Sequence, residues 1–308
     1  MSAPDAEWLR HRERGSLLLL KVMSFVSLRG GRRFSRVFLY LIALYFFLFA
    51  PQARAASRHY LRRALRREPR ARDRFRQILY FASVIHDRVF LLNDRFDDFQ
   101  IRVDGEALMV SAMQAGRGAF LMGAHLGSFE VLRSLGRRQP GIAVVMAMYE
   151  ENARRINSIL ATISPAARPE IVPLGHMDSM IRIGERMDQG AFVGVLADRT
   201  LGREAVRHVD FLDHPAPFPL GPMRAAAILR RPVIFMAGLY RGGNRYHLVF
   251  EPVADFSDVT RAERDARVNA AVDRYAGLLA RHCRLDPYDW FNFFDFWQDA
   301  ASRVASRG

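Results

Sequence analysis

The stretch Ala119-Phe-Leu-Met-Gly-Ala-His125-Leu-Gly-Ser-Phe-Glu130-Val-Leu-Arg-Ser-Leu135 decides how the chain is read. It follows a glycine-rich break at Gly116 and Gly118 and opens with Ala119–Met122, an apolar run typical of a buried strand. Phe129, Val131, Leu132 and Leu135 then recur at the spacing of a helix inner face. Gly123 and Gly127 supply a tight turn between the two, and Ser128 can cap the new helix. His125 and Glu130 lie five residues apart, about 500° of rotation on a continuous helix, so there they would diverge. Across a strand-to-helix turn they can meet. A carboxylate that accepts the Nδ1–H of an imidazole fixes its tautomer and leaves Nε2 free to take a proton. The expectation is therefore a general base, His125, oriented by Glu130.

Further along, the pattern alternates. Strands are expected at Ile142–Ala147, Glu170–Pro173, Ala191–Ala197, Val233–Gly238 and Tyr246–Phe250, and helices at Asn152–Ile163, Met177–Asp188, Pro219–Arg230 and Arg261–Cys283. Before the central motif, Phe96–Val103 reads as loop or strand and Gly105–Ala115 as a short helix. Strands alternating with helices make an α/β layer structure with a largely parallel sheet flanked by helices. A chain of 308 residues, half of them apolar, can bury such a core. With no linker, repeat or low-complexity tract, one domain over residues 57–308 is expected, with an appendage at 1–56. A single cysteine, Cys283, excludes an intramolecular disulfide framework and a Cys-rich zinc site.

The net charge of +14 is uneven: residues 1–78 hold 18 Lys/Arg against 5 Asp/Glu. The same segment holds the most apolar runs, Leu17–Leu28 (interrupted by Lys21) and the uninterrupted Val37–Ala50. Basic charge beside apolar helix suits an anionic membrane surface, and no nucleic-acid-binding signature accompanies it. Fourteen residues make a helix of about 21 Å, short of the roughly 30 Å hydrocarbon core. Arg36 snorkelling could close part of the gap, or the runs could form a re-entrant or interfacial hairpin about Gly30–Gly31. Ala53-Arg-Ala55 imitates a cleavage site, but the long basic front is wrong for a signal peptide, so a retained anchor is expected.

Other residues sit where chemistry is possible. The run Phe192–Asp198 reads as a buried strand ending in an acid, and ligand sites of open α/β sheets lie at the carboxyl ends of strands. That puts Asp198 and Arg199 on the rim that holds His125; an exposed strand-end ion pair is the alternative. Asn152, Arg154 and Arg155 open the helix after the next strand, where two guanidiniums suit a phosphate and a solvated face is the plain alternative. His208, Asp210 and His214 lack metal-ligand spacing, so no metal is expected. No Gly-x-Ser-x-Gly elbow is present, and Ser128 lacks that motif.

From about Trp8 to Trp297 the sequence resembles the lipid A late acyltransferases, lauroyl and myristoyl transferases within the lysophospholipid acyltransferase superfamily. The strand–turn–helix around His125 and Glu130 carries the likeness, since that superfamily's signature is His-x4-Asp/Glu and the lipid A branch commonly uses Glu. The resemblance implies an α/β fold, His125 and Glu130 as catalytic residues, and Asp198 as the family's strand-end Asp. It also implies that Phe211, Phe218 and Leu220 shape an acyl-chain groove, where core packing is the alternative. The aromatic Asp286–Trp297 segment, similar to the family's C-terminal pattern, is expected to pack on the core, with a seat at the membrane interface as the alternative. The family has an Arg after the residue matching Tyr149, where this chain has Glu150; Arg154 and Arg155 are the candidate replacements, with Asn152 and Ser128 as further substrate contacts. The implied activity is transfer of a fatty acyl chain from a thioester to a hydroxyl or amine of a membrane lipid acceptor. It needs no cofactor beyond that co-substrate and sits on the cytoplasmic face of the inner membrane. The basic rim of Arg154, Arg155 and Arg199 would steer an acidic acyl carrier protein, which is expected as donor in preference to coenzyme A. A thioester hydrolase and a non-catalytic membrane-docked binding protein are the alternatives.

Overall fold

In the computed structural model the described residues are 17–138, 142–150, 152, 160, 163–164, 170–175, 178–200 and 204–297. Three helices lead: α1 (Leu17–Phe49), α2 (Pro51–Leu65) and α3 (Ala71–Leu92). A short 3-10 turn precedes β1 (Gln100–Asp104), then come α4 (Glu106–Gln114), β2 (Ala119–Gly123), α5 (Phe129–Arg138), β3 (Val144–Tyr149) and β4 (Ile171–Leu174). They are followed by α6 (Ser179–Asp188), β5 (Phe192–Leu196), β6 (Val206–Phe211), β7 (His214–Pro219) and α7 (Gly221–Ile228). Last are β8 (Pro232–Tyr240), β9 (Arg245–Asp255) and α8 (Arg264–Leu285).

Seven strands form one sheet in the order β1-β9-β8-β2-β5-β3-β4, parallel at every pairing except β8–β9. The expected α/β architecture is thus the observed one. Strand β2 is central, and all five of its residues are buried, as are the first four of β5. Burial on both faces explains why these strands read as unbroken apolar runs instead of alternating. Gly194 of β5 is part of this packing: a Cβ there would come within 2.9 Å of the Phe129 ring at the start of α5.

The β6–β7 hairpin was not foreseen, because Pro215, Pro217 and Pro219 argue against a strand. They fall on alternate positions, opposite Asp210, His208 and Val206. Their missing N–H groups therefore point away from the single partner strand, and an edge tolerates them. Helix α7 starts at Gly221, after these prolines, and not at Pro219.

The N-terminal segment corrects another expectation. No hairpin forms about Gly30–Gly31. Gly31 takes φ +80° and kinks a helix that otherwise runs to Phe49, and the sharp turn, 95°, comes between Phe49 and Pro51. Among the described residues no single helix is long and apolar enough to cross a membrane, though the bent pair α1–α2 passes by length and composition together. Position 56/57, the expected boundary, falls inside α2, whose Ala56, Ser57, Tyr60 and Leu61 are buried. Arg66, in the left-handed region, ends that helix before α3 begins at Ala71.

Helix α1 is tied to the body through charge. The Arg32 guanidinium donates twice to Asp87, at 2.8 Å each, and Tyr246 Oη donates to the same carboxylate at 2.8 Å. Asp87 is fully buried. Removing one partner of a buried ion pair leaves an uncompensated charge, typically worth about 3–5 kcal/mol. Arg32→Ala is therefore expected to destabilise the protein by about 3 kcal/mol or more in denaturant unfolding; an unchanged midpoint would mean the pair does not hold α1.

Candidate active site

His125 lies in the loop between β2 and α5, at the carboxyl end of the central strand. Its backbone and its side chain are fixed by one acid. Asp198, just past the end of β5, accepts the His125 Nδ1–H at 2.8 Å on one oxygen and the His125 backbone N–H at 3.0 Å on the other. The second oxygen also accepts Trp290 Nε1–H at 3.0 Å. Asp198 is wholly buried, while the His125 side chain keeps 29% of its surface exposed. The acid is sealed and the base is open to an incoming molecule.

This corrects the pairing read from sequence. The carboxylate on Nδ1 belongs to Asp198, and Glu130 is engaged elsewhere. Glu130 is the second residue of α5, and its Oε1 accepts the Nε–H of Arg133 one turn on at 2.8 Å, with Nη2 of the same guanidinium in ion-pair contact at 2.7 Å. Both side chains are about 6% exposed. Parallel pairing of β2 with β5 sets Gly123 beside Leu196, so two residues beyond each strand His125 and Asp198 come level. The meeting is a consequence of register, across 73 positions of sequence.

The electrostatics suit a base. Burial and the nearby positive charge of Arg199 lower the His125 pKa below its ordinary value, with Asp198 pulling the other way. Burial alone would raise the Asp198 pKa, but His125 and Arg199 hold it well below the usual carboxylate range. Burial pushes Arg199 down to about 10, so it stays cationic at neutral pH. The state that satisfies all three is a neutral imidazole donating Nδ1–H to an ionised Asp198, with the Nε2 lone pair free.

The loop's backbone is held from three sides. Gly123 O accepts the Ala197 N–H at 3.0 Å and the Tyr275 hydroxyl at 2.7 Å. The Ser128 N–H donates to Gly238 O at 2.7 Å, so Ser128, itself buried, is a wall of the loop. Gly127 takes φ +70°, and a Cβ there would lie 2.0 Å from Gly238 O, so only glycine fits. The third side was missed in the sequence: the C-terminal segment bridges onto the loop. The Gly127 N–H donates to Asp289 O at 2.9 Å, the Phe291 N–H donates to His125 O at 2.7 Å, and Leu126 and Trp290 form an antiparallel bridge.

The remaining expected site residues divide. Arg199 stays at the site, donating to Phe291 O at 3.3 Å, with its guanidinium 5.4 Å from the Phe294 ring centroid. Asn152 is half-buried and helical, while Arg154 and Arg155 lie outside the described residues. Phe211 and Phe218 have no exposed surface, and Leu220 has 9%. Phe211 stacks on Trp297 and meets Trp290, Phe296 and Phe218 edge-on, which makes it core instead of an open groove wall.

Asp289 is an acid of that C-terminal segment. It is buried, accepts the Tyr240 N–H at 2.7 Å, and lines a cleft of about 220 Å³ with Arg76 and Arg241. Burial pushes its pKa up to about 8, against the Tyr240 N–H and the two arginines. An unfolded carboxyl releases its proton near pH 4. Between roughly pH 4 and 8 the folded state thus holds a proton that the unfolded state has lost, and stability falls as pH rises through that window. The slope approaches about 1.4 kcal/mol per pH unit. Asp289→Asn, which keeps an acceptor for Tyr240, is expected to remove that fall, gaining on the wild type from pH 5 to 8 in thermal or denaturant unfolding. Parallel wild-type and variant curves would place the Asp289 pKa in the ordinary range.

No curated protein matches the chain as a relative. A family model does match, over residues 73–299, which include the His125 loop, Asp198 and the C-terminal clamp. The chain belongs to the bacterial lipid A biosynthesis acyltransferases.

Proposed function

We propose that this chain transfers a fatty acyl group from a thioester to a hydroxyl or amine of a membrane lipid acceptor, with His125 as general base. The observation that carries the reading is a half-open imidazole whose Nδ1–H is fixed on a sealed carboxylate, Asp198. Nε2 takes the proton of the acceptor O–H or N–H as that atom attacks the thioester carbonyl. The oxyanion that forms lies close to the Arg199 charge, which also lowers the His125 pKa. Collapse of the tetrahedral intermediate breaks the carbon–sulfur bond, and the thiolate takes the proton back from Nε2. No enzyme nucleophile and no resident cofactor enters this sequence. In this scheme Asp198 is the orienting acid, and the Glu130–Arg133 pair is a positioning element that stiffens the first turn of α5 beneath the loop.

The finer assignments follow from chemistry. Acyl carrier proteins are acidic, and a chain of net charge +14 would steer them more than it would a small nucleotide thioester. Carrier-protein donors place the reaction on the cytoplasmic face of the inner membrane. Asn152, Arg154 and Arg155 remain candidates for the phosphate of either donor or acceptor.

The test is acyl transfer to membrane lipids, read by mass spectrometry, for three variants. His125→Ala is expected to lose about 10²–10⁴-fold in turnover. Asp198→Asn should lose a comparable factor, because an amide no longer enforces the Nδ1–H tautomer. Glu130→Gln should lose less than either. Wild-type turnover in His125→Ala would refute the mechanism, and free fatty acid in place of acylated lipid would make the protein a hydrolase. A loss in Glu130→Gln that exceeds that of Asp198→Asn would return the orienting role to Glu130.

A further inference from the structure

We infer that helix α1 is a monotopic anchor: its outward face lies in one anionic leaflet, and neither end of its apolar stretch reaches the far side. This rests on the membrane reading above and adds how the chain sits.

The apolar stretch of α1 has two faces with different fates. Ser35, Leu39 and Ala43, four residues apart, are buried at 0–3% exposure. They line a seam with α3, which runs antiparallel alongside: Ser35 Oγ meets His86 Nε2 at 2.7 Å, and twelve residues on the Phe47 ring meets Phe75 edge-on at 6.0 Å. The other face carries Val37, Phe38, Tyr40, Leu41, Leu44, Tyr45, Leu48 and Phe49 in the open, at 37–63% exposure.

If α1 crossed a bilayer, α3 would have to enter with it. That helix contains Arg72, Asp73, Arg74, Arg76, Asp87 and Arg88, and a charge at the bilayer centre costs about 2.5–3.5 kcal/mol on insertion scales. Both ends of the stretch are also fastened to the same body. At the near end Arg32 binds Asp87, and Arg36 donates to Tyr240 Oη and Gly243 O, both at 2.7 Å. At the far end the chain turns through 95°, and α2 buries Tyr60, Leu61 and Ala64 in the core, with Tyr60 edge-on to Trp290 at 4.8 Å. A segment whose two ends dock on one folded body cannot have them on opposite faces of a membrane.

What remains is an apolar helix face about 20 Å long over Val37–Phe49, seated about 5–10 Å into one leaflet. Arg29 and Arg33 at one end are exposed and suit anionic headgroups, while Arg58 beyond the other end is exposed and pairs with Glu68. The occupant is therefore a lipid leaflet, and not a second copy of this basic chain, whose like charges would oppose it. Arg36 meets Tyr240 at the end of β8, on the same end of the sheet as His125. The acceptor is then drawn from the leaflet that holds α1.

The experiment uses the full chain with Cys283→Ser, carrying a single new cysteine. Flotation with vesicles of phosphatidylethanolamine and phosphatidylglycerol comes first; failure to float, or a stable dimer in its place, would overturn the anchor and the membrane reading together. In membranes of expressing bacteria, Ser2→Cys and Ser306→Cys are expected to react with an impermeant maleimide from the same side, in inverted vesicles only. Leu41→Cys and Tyr45→Cys spin labels should report depths within one leaflet, less than about 15 Å from the headgroups. A chain that floats but labels at Ser2 from the opposite face, or places Tyr45 beyond the midplane, spans the bilayer and overturns the monotopic assignment alone.

Discussion

The Asp198 carboxylate is the point on which the structure converges. Taking an ionised carboxylate out of water costs several kcal/mol even after relaxation, so a buried one persists only where donors replace its hydration. Three N–H groups do so here, two from His125 and one from the Trp290 indole. Each donor commits a different part of the chain. The strand pair β2–β5 must be in register, the His125 loop must turn as it does, and the C-terminal segment must return across the sheet.

Trp290 extends that constraint outward. Its carbonyl accepts the Gln77 side-chain amide of α3 at 2.7 Å, and its ring packs against Tyr60 of α2. Asp73 of α3 accepts the Tyr288 hydroxyl at 2.9 Å. Helices α2 and α3 are thus held to the segment that orients the base, and α1 joins them through the Arg32–Asp87 pair. Where α1 goes, the site goes with it, and a short, continuous set of contacts couples the two.

Much of this was legible in the residues. Buried strands β2 and β5 announced themselves as apolar runs, and the glycine-flanked His125 marked the turn. Asp198 was placed on the right rim by the rule for strand ends. Its contact with His125 was not legible, because strand order is a non-local property and Glu130 lay nearer in sequence. Glu130 in turn had a partner three residues on, Arg133, a spacing at which helix side chains meet. Prolines hid β7, because whether a strand tolerates them depends on its having one neighbour. Phe211 and Phe218 looked like groove residues because core and groove draw on the same side chains. The clamp by residues 289–291 had no local signal at all, since its bonds are made by backbone groups that every residue carries.

The central claim is that His125 is a neutral imidazole, protonated at Nδ1 and oriented by Asp198. Nitrogen-15 NMR of histidine-labelled protein across a pH titration, with His125→Ala to assign the signal, measures it most directly. The account predicts the Nδ1–H tautomer at neutral pH and an imidazole pKa below its ordinary value; when Asp198 is replaced by Asn the tautomer preference is lost and the pKa falls further, because the group that raised it is gone. An Nε2–H tautomer, or a His125 pKa raised above the ordinary value, would contradict it.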